Sequence, residues 1–492
     1  MINFTKGELK LLKKISIIEV IIIISAILIV ASQMMAIDFR LNEATMINCA
    51  MRSIGELLSF GYGQPCCCSL DHQPGYSMGL KMWSSLFGFS KPVLKGFSLL
   101  FYILAIITLF RIGRDSFERK YVGSLFGLSF VLNYFLIEIG QYIYMYIHYF
   151  FFCVLAAYFL NRKNLHLEIK IRYAIYSLGI GSLFFYMGYF YFWTLVFVCF
   201  IYRHRDGVKI PKVFVSFMSI LFILKTPVIF LFRFVDRDTQ SYEYTFGKVL
   251  YSAQQLIFGG QTNTSVEIIF KLILIGFGVV AFYYYLKNDQ NIVLKTYVGI
   301  SSIVSGAGFI FLSLVLRLDE IKPMYFLFYI FVFHFVVFYL LDKISLKSVQ
   351  YKVLSIMVAL IYFGMLSTGL VKGVLLEKSQ LTKNAVFDMK YKLVDYKKFI
   401  LFSEYDTEYY MSGLYRSYFD ENIKLIHVDE KDLCKERGDF FLLDSHNPDG
   451  RVKKELKEKD CFDQFQLVQK KIYHTDMHPG PWAIFEFTRN LD

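Results

Sequence analysis

Apolar residues along this chain of 492 residues form long runs, and the polar residues fall mainly between those runs. Runs of about eighteen or more apolar residues are typical of helices that cross a lipid bilayer. The run 173–202 is too long for one crossing, because thirty helical residues span roughly 45 Å and the hydrocarbon core is about 30 Å thick. We therefore predict two short helices there, separated near Met187 and Gly188. The eleven predicted crossings are 15–37, 93–110, 121–137, 142–160, the two halves of 173–202, 213–232, 266–286, 296–316, 323–341 and 353–371.

Basic residues are concentrated in alternate loops. With the N-terminus placed in the cytoplasm, the cytoplasmic loops carry 21 Lys and Arg in 66 residues, and the opposite loops carry 9 in 101. Cytoplasmic loops of membrane proteins carry such an excess of positive charge. A single crossing at 173–202 would reverse the later loops and remove the asymmetry. The prediction therefore places the loops 38–92 and 233–264 and the C-terminal segment on the extracytoplasmic side.

The composition agrees with a membrane protein. The chain is 55% hydrophobic and only 19% charged, whereas soluble domains are about one quarter charged. Its net charge of +12 arises before residue 372, in short loops between crossings, so we interpret it as a topology signal and predict no nucleic-acid partner. The sequence has no P-loop, dinucleotide fingerprint or HExxH motif, which argues against ATP hydrolysis, nicotinamide chemistry and zinc proteolysis.

Residues 372–492 differ from the rest of the chain, because short apolar runs alternate there with charged stretches. We predict a small extracytoplasmic α/β domain, following a membrane domain over residues 1–371. The apolar runs are 399–402, 424–428, 440–443 and 482–487. Cys434 and Cys461 in this domain form either a disulfide, on the oxidising side of the membrane, or two buried free thiols.

The loop 38–92 is the only long polar insertion in the first two hundred residues. Ionisable residues beside membrane crossings are candidates for a functional site, because charge is costly close to the hydrocarbon core. The ionisable residues of interest in this loop are Asp38, Arg40, Glu43, Asp71 and His72.

Four short motifs in this region resemble a known family in their order and spacing. The motifs are Asn42-Glu43-Ala44, Asp71-His72-Gln73-Pro74-Gly75-Tyr76, Trp83-Ser84-Ser85-Leu86-Phe87-Gly88 and, at the fourth crossing, Gln141 to Tyr146. The resemblance is to the GT-C membrane glycosyltransferases, specifically the protein mannosyltransferases, the lipid A aminoarabinose transferases and the phage-borne O-antigen glucosyltransferases. It covers residues 15–160. The chain departs from the family pattern at Asn42, where an Asp is usual, and at Tyr144, where an Arg is usual.

The resemblance implies an all-α polytopic domain that transfers a sugar from a polyprenyl-phosphate donor by an inverting displacement. Such a reaction needs a carboxylate to accept the proton of the acceptor hydroxyl and cations to stabilise the departing phosphate. The candidate catalytic carboxylates are Glu43, Asp38 and Asp71, with Glu43 at the acidic position of the family. The candidate substrate-binding residues are His72, Tyr76, Glu138, Gln141 and Tyr146. The candidate lipid-phosphate-binding residues are Lys225, Arg233, Arg317 and Lys322.

Each of these residues also has a purely structural explanation. Glu43 could cap a helix end, Lys225 could extend along its own stem to the interface, and Arg317 and Lys322 could be ordinary loop charges.

The function expected from the sequence is a glycosyltransferase in a bacterial inner membrane. Its partners would be an undecaprenyl-phosphate-linked sugar, with glucose as the candidate, a surface polysaccharide such as O-antigen as acceptor, and the membrane lipids. No cofactor is predicted, and a metal requirement is left open. The alternatives are a flippase for lipid-linked glycans, which would usually show internal repeats, and an O-antigen polymerase, which would concentrate arginines in large late loops.

Overall fold

A computed structural model describes most of the membrane domain and five strands near the C-terminus. The described residues are 16–36, 43, 46–47, 49–50, 53–55, 74–185, 187–206, 209–235, 256–258, 265–289, 291–314, 326–376, 398–401, 424–427, 440–444, 465–473 and 482–489.

Within these residues the chain forms helices that follow the apolar runs. They are α1 (Ile17–Ala36), α2 (Pro74–Phe87), α3 (Lys91–Ser116), α4 (Lys120–Val131), α5 (Tyr134–Gln141), α6 (Tyr146–Asn161), α7 (Leu167–Phe184), α8 (Gly188–Asp206), α9 (Lys212–Val235), α10 (Ser265–Asn288), α11 (Ile292–Leu314), α12 (Leu327–Ser345) and α13 (Val349–Leu376). Each predicted crossing falls on one of these helices or, for 121–137, on the pair α4 and α5.

Length and composition allow only some of these helices to cross a bilayer unaided. In the described ranges four qualify, namely Lys91–Ser116, Ile268–Asn288, Leu327–Ser345 and Val349–Val371, and the bent pair α4 and α5 would be a fifth. Helices such as Tyr146–Asn161 are apolar but shorter. A multi-pass arrangement is therefore clear, and the number of eleven crossings stays a prediction.

The segment 173–202 forms the predicted helical hairpin. α7 ends at Phe184, α8 begins at Gly188, and the Gly188 N–H donates to the Phe185 carbonyl at 2.9 Å. A side chain at position 188 would place its Cβ 2.8 Å from the Ser182 Cα, so the two helices approach too closely for any residue but glycine. The predicted break near Met187 and Gly188 is confirmed.

The predicted crossing 121–137 is not one straight helix. It breaks after α4 and bends by 54° into α5. The Asn133 side chain accepts a hydrogen bond from the Leu136 N–H and so caps α5, and its amide donates to the carbonyls of Leu256 and Ile257. The bend depends on these contacts with a distant segment, and it has no proline or glycine that would mark it in the sequence.

α12 lies at the centre of the membrane helices. In the most apolar 18-residue stretch of α12, 78% is buried, whereas the corresponding share is 28% in α10 and 22% in α13. Its aromatic side chains pack on those of α4, with the Phe126 ring 5.9 Å from Phe335 and 6.0 Å from Phe338. These Phe side chains therefore serve helix packing.

Polar contacts join the loops at one end of these helices. The buried Asp342 carboxylate accepts hydrogen bonds from the N–H groups of Glu118 and Arg119 at 3.0 and 3.1 Å, just before α4 begins. Arg162 pairs with Asp115 at 3.2 Å. The loops that meet here are among those that the positive charge assigns to the cytoplasm.

Residue contacts divide the chain into two compact units. One comprises Met1–Ser32, Leu70–Tyr76 and Gly96–Leu376, and the other comprises Gln33–Ser69, Ser77–Lys95 and Glu377–Asp492. The second unit therefore groups parts of the first polar loop with the C-terminal segment. The predicted domain boundary after residue 371 stays a prediction.

The C-terminal segment contains strands where the sequence has short apolar runs. β1 (Lys398–Leu401) pairs in parallel with β2 (Lys424–His427). β3 (Phe440–Asp444), β4 (Phe465–Tyr473) and β5 (Trp482–Arg489) form an antiparallel sheet in the order β3-β5-β4. The four apolar runs lie on β1, β2, β3 and β5, whereas the more polar β4 was not predicted. Cys434 and Cys461 lie outside the described residues.

The polar loop 38–92 is partly helical, which corrects its prediction as a loop. α2 lies in its last third and ends at Phe87, and the next residue, Gly88, has a φ of +94° that is favourable only for glycine. The Gly88 N–H donates to the Ser84 carbonyl at 2.8 Å, and the chain then enters α3.

Candidate active site

Glu43 and Lys95 form a buried ion pair in the second unit. The Lys95 Nζ lies 3.9 Å from the Glu43 Oε1, and the two side chains are 0% and 2% exposed. Taking two charges out of water costs several kcal/mol per ion before their attraction is counted, so such pairs are weak evidence for stability. A buried carboxylate beside a buried ammonium is instead a candidate for chemistry.

The Trp83 motif positions the start of α3, which carries Lys95. The Trp83 indole donates to the Val93 carbonyl at 2.7 Å, and its ring lies 4.4 Å from that of Phe87. Lys81, on the same helix, donates to the Ala50 carbonyl at 3.3 Å and so ties α2 to the segment after Glu43. The motif therefore acts as a support for the buried pair.

Glu138 and Gln141 lie together at the end of α5, in the first unit. The Tyr142 hydroxyl donates to the Glu138 carboxylate, and the Ser98 hydroxyl donates to the Tyr142 carbonyl. Glu138 is 7% exposed and Gln141 is fully buried. Glu138 lies in the second half of α5, the short helix that follows the bend after α4.

Tyr146 packs among aromatic rings at the start of α6. Its ring lies 4.6 Å from Tyr144 and 5.3 Å from Phe185. Glu138, Gln141 and Tyr146 are therefore close in the chain and surround one break between helices, and their predicted role in substrate binding stays a prediction.

Tyr76 is buried in an aromatic cluster around His148. The Tyr76 ring meets the His148 ring edge to face at 5.0 Å, and the His148 ring lies 4.5 Å from Phe97 and 4.2 Å from Phe101. The neighbouring Gly75 is pressed against α7, because a Cβ there would lie 2.4 Å from the Leu183 carbonyl oxygen. In this position Tyr76 anchors the start of α2.

The side chains of the seven remaining predicted site residues lie outside the described part of the chain. Lys225 and Arg233 lie on α9, in a part whose side chains are outside the described set. Asp38, Asp71, His72, Arg317 and Lys322 lie outside the described residues altogether. Their roles stay predictions.

Lys95, Tyr142 and Ser98 were missed by the sequence interpretation. Lys95 carried a usable signal, since it is a lone lysine at the start of the apolar run 93–110. Tyr142 lies within the motif Gln141 to Tyr146 but was not singled out as a site residue, and Ser98 carried no signal, because a serine near the start of a helix is unremarkable.

In the part of the chain that the structure describes, no three His, Cys, Asp or Glu side chains are grouped as metal ligands could be.

Comparison with known proteins gives the fold of the chain. No protein-family model matches it, and no curated protein matches its sequence. The structure of ArnT from Cupriavidus metallidurans in the apo state matches with a TM-score of 0.56 and 11% identity, covering 95% of this chain and 97% of that chain. The structure of ArnT bound to undecaprenyl phosphate matches with a TM-score of 0.57 and 10% identity, over the same shares.

The chain has the GT-C fold.

A larger protein, the arabinofuranosyltransferase AftD from Mycobacteria, matches with a TM-score of 0.50 and 11% identity over 96% of this chain and 40% of that chain. The resemblance drawn from the motifs is thus confirmed as a GT-C fold over nearly the whole chain, whereas the motifs reached only residue 160. The chain is a multi-pass membrane protein.

Proposed function

We propose that this GT-C chain is a membrane glycosyltransferase that moves a sugar from a polyprenyl-phosphate donor to a hydroxyl acceptor. The observation that carries the proposal is the buried Glu43–Lys95 pair on a GT-C fold. ArnT has been seen with undecaprenyl phosphate bound, which supports a donor of that chemical class.

Glu43 would act as the general base. Its carboxylate would accept the proton of the acceptor hydroxyl while the acceptor oxygen forms a bond to the anomeric carbon of the sugar. The bond between that carbon and the phosphate oxygen would break, and polyprenyl phosphate would leave with the bonding electrons. One attack from the face opposite the phosphate would invert the anomeric centre.

Lys95 would bind the donor phosphate. A lysine ammonium is a compact cation with three donors, suited to a phosphate that gains charge as the bond breaks. Moving the ammonium from Glu43 towards the phosphate would also release the carboxylate to act as a base. The donor would thereby assemble its own catalytic site, and no proton would be taken before the donor is bound.

The finer assignment is a glucosyl transfer to a bacterial surface polysaccharide such as O-antigen, on the periplasmic face of the inner membrane. It is supported by the resemblance to O-antigen glucosyltransferases and by the loop charges. In this assignment Arg317 and Lys322 would add to the phosphate site.

The test is transfer by the purified full chain in vesicles that contain undecaprenyl-phosphate-linked radioactive glucose and a lipid-linked polysaccharide acceptor. A labelled acceptor with one added sugar per acceptor unit is the expected product. Comparing the sugar composition and linkages of the surface polysaccharide with and without the gene identifies the natural sugar and acceptor.

The same assay separates the alternatives. A flippase would move label across the bilayer without forming a glycosidic bond, and a polymerase would lengthen the polysaccharide without adding a side-chain sugar. Either result, with no single-sugar product from any polyprenyl-phosphate donor, would reject the proposed function.

A further inference from the structure

A pocket of about 580 Å³ lies between α7 and α9, and it combines cationic with aromatic side chains. Its lining includes Arg172, Tyr176, Lys212, Val213, Phe214 and Phe217. The volume falls within the range of pockets that hold small molecules. The pocket adjoins the first turns of α7, which follows the end of α6. The candidate residues Glu138 to Tyr146 instead lie at the start of α6 or before it, and α6 is a helix of 16 residues and about 24 Å.

The cations of the pocket face water. Arg172 is 45% exposed, and Lys212 is also exposed. The Arg172 guanidinium donates to Glu168 at 2.7 Å, one turn earlier on the helix, but exposed pairs of this kind are weak and the guanidinium has further N–H donors. Lys212 begins α9, where backbone N–H groups lack partners within the helix and favour a bound anion.

The aromatic wall of the pocket is fixed by close packing. The Phe214 ring meets the Tyr176 ring edge to face at 4.9 Å. It also covers Gly179, where a Cβ would lie 2.4 Å from a ring carbon of Phe214. Any side chain at position 179 would therefore displace the Phe214 ring.

An exposed apolar strip continues from the pocket along α9. Val213 is 87% exposed and Phe217 is 52% exposed, and Ile220 and Ile223 extend the strip at 57% and 65%. A soluble anion would need only the two cations. The strip is suited to an acyl chain that leaves the pocket along the helix.

We propose that this pocket binds an anionic phospholipid. The phosphate lies between Arg172 and Lys212, and one acyl chain follows Val213, Phe217 and the strip on α9. The positive charge near the pocket favours an anionic lipid, because the loops 161–172 and 203–212 each carry four basic residues. They are predicted on the cytoplasmic side, where the bilayer surface carries anionic lipid.

The test uses the full chain in vesicles of phosphatidylcholine and phosphatidylglycerol with a trace of phosphatidylglycerol that carries a photoreactive acyl chain. Labelling of the peptide that contains residues 213–217 is measured as the phosphatidylglycerol fraction rises. In the double variant Arg172→Gln and Lys212→Gln, half-maximal labelling should need roughly 25-fold more phosphatidylglycerol, at about fivefold for each charge. Photoreactive phosphatidylcholine should label this peptide weakly in both proteins.

The matched control removes two charges outside the pocket, with Lys347→Gln and Lys352→Gln, and should label like the wild type. If the double variant fails to insert, the single variants Arg172→Gln and Lys212→Gln should each shift the curve about fivefold. Phe217→Ala keeps both charges and should lower labelling, because the acyl chain loses a contact.

Unchanged labelling in the charge variants, or an equal loss in the control, would overturn the proposal. Loss of labelling in the wild type on addition of excess inorganic phosphate would also overturn it, since the pocket would then be a site for a free anion.

Discussion

Two Lys–Glu pairs in this chain have the same chemistry and opposite surroundings. Lys343, in the last turn of α12, and Glu118, just before α4, meet at 2.5 Å with side chains 31% and 57% exposed. Lys95 and Glu43 are 3.9 Å apart and have almost no exposure. The pair with the shorter distance between nitrogen and oxygen is thus the one that faces water.

The difference separates a structural role from a functional one. In water the two ions of a pair keep most of their hydration, and their contact contributes little to stability. The buried pair has lost that hydration, so each of its ions depends on neighbouring polar groups to replace the water. We therefore interpret Lys343–Glu118 as a contact that joins the end of α12 to the segment before α4, whereas Glu43–Lys95 is the pair on which the proposed function rests.

The largest expected effect is that of Glu43→Gln on sugar transfer. Glutamine keeps the shape of the side chain but cannot accept the proton, and general-base catalysis contributes typically 10²–10⁴-fold, or about 3–5.5 kcal/mol of barrier. The variant should insert normally and bind the lipid donor, and its transfer rate should fall by that factor in the vesicle assay.

Asp38→Asn and Asp71→Asn are the controls for Glu43. If one of them abolishes transfer while Glu43→Gln retains it, the base is that aspartate. If all three variants remain active, the glycosyltransferase proposal is wrong.

The next effect is that of Lys95→Met on stability. Removing one member of a buried pair typically costs about 3–5 kcal/mol, because the other charge loses its compensation. Thermal unfolding in detergent should show the loss, and the double variant with Glu43→Gln should recover most of it. Lys91→Gln removes a charge one turn earlier on α3 and should change stability by less than about 1 kcal/mol. A double variant as unstable as Lys95→Met would show that the two side chains are not coupled.

A smaller effect is expected for Arg317 and Lys322, the predicted cations of the donor phosphate site. Losing a charge-assisted contact to the donor phosphate would cost about 1.5–3 kcal/mol in transfer, with insertion intact. Arg317→Ala, Lys322→Ala and the double variant are compared for transfer at limiting donor. Unchanged transfer in all three variants would show that Arg317 and Lys322, like Lys343 and Glu118, have no part in binding the donor.

The smallest effect is that of the exposed pair. The hydrogen bond from Lys343, and then its charge, lower the pKa of Glu118 from the ordinary value of 4.5. A lowered carboxyl pKa contributes stability above pH 4.5, and that contribution is lost as the pH falls through the lower folded-state pKa. Glu118→Gln should therefore cost at most about 1 kcal/mol at pH 7 and nothing in acid, measured as thermal unfolding against pH. A constant difference at every pH would mean that the charge of Glu118 is not the cause.

The sequence by itself determined most of the helical arrangement. Hydrophobic runs predict which segments insert into the bilayer, because each residue adds its own contribution to the free energy of insertion. The hairpin at Met187 and Gly188 was predictable for the same reason, since run length and loop charge both required it. The order and spacing of the four short motifs between Asn42 and Tyr146 were enough to indicate the GT-C fold.

Only the tertiary structure decided what lies beside each polar residue. The bend at Asn133 depends on the carbonyls of Leu256 and Ile257, more than a hundred residues away. Likewise, Lys95 became a candidate for the site only when folding buried it next to Glu43. Local patterns fix helices because their hydrogen bonds and lipid contacts are local, whereas a buried charge is defined by its neighbours, and those neighbours come from distant parts of the chain.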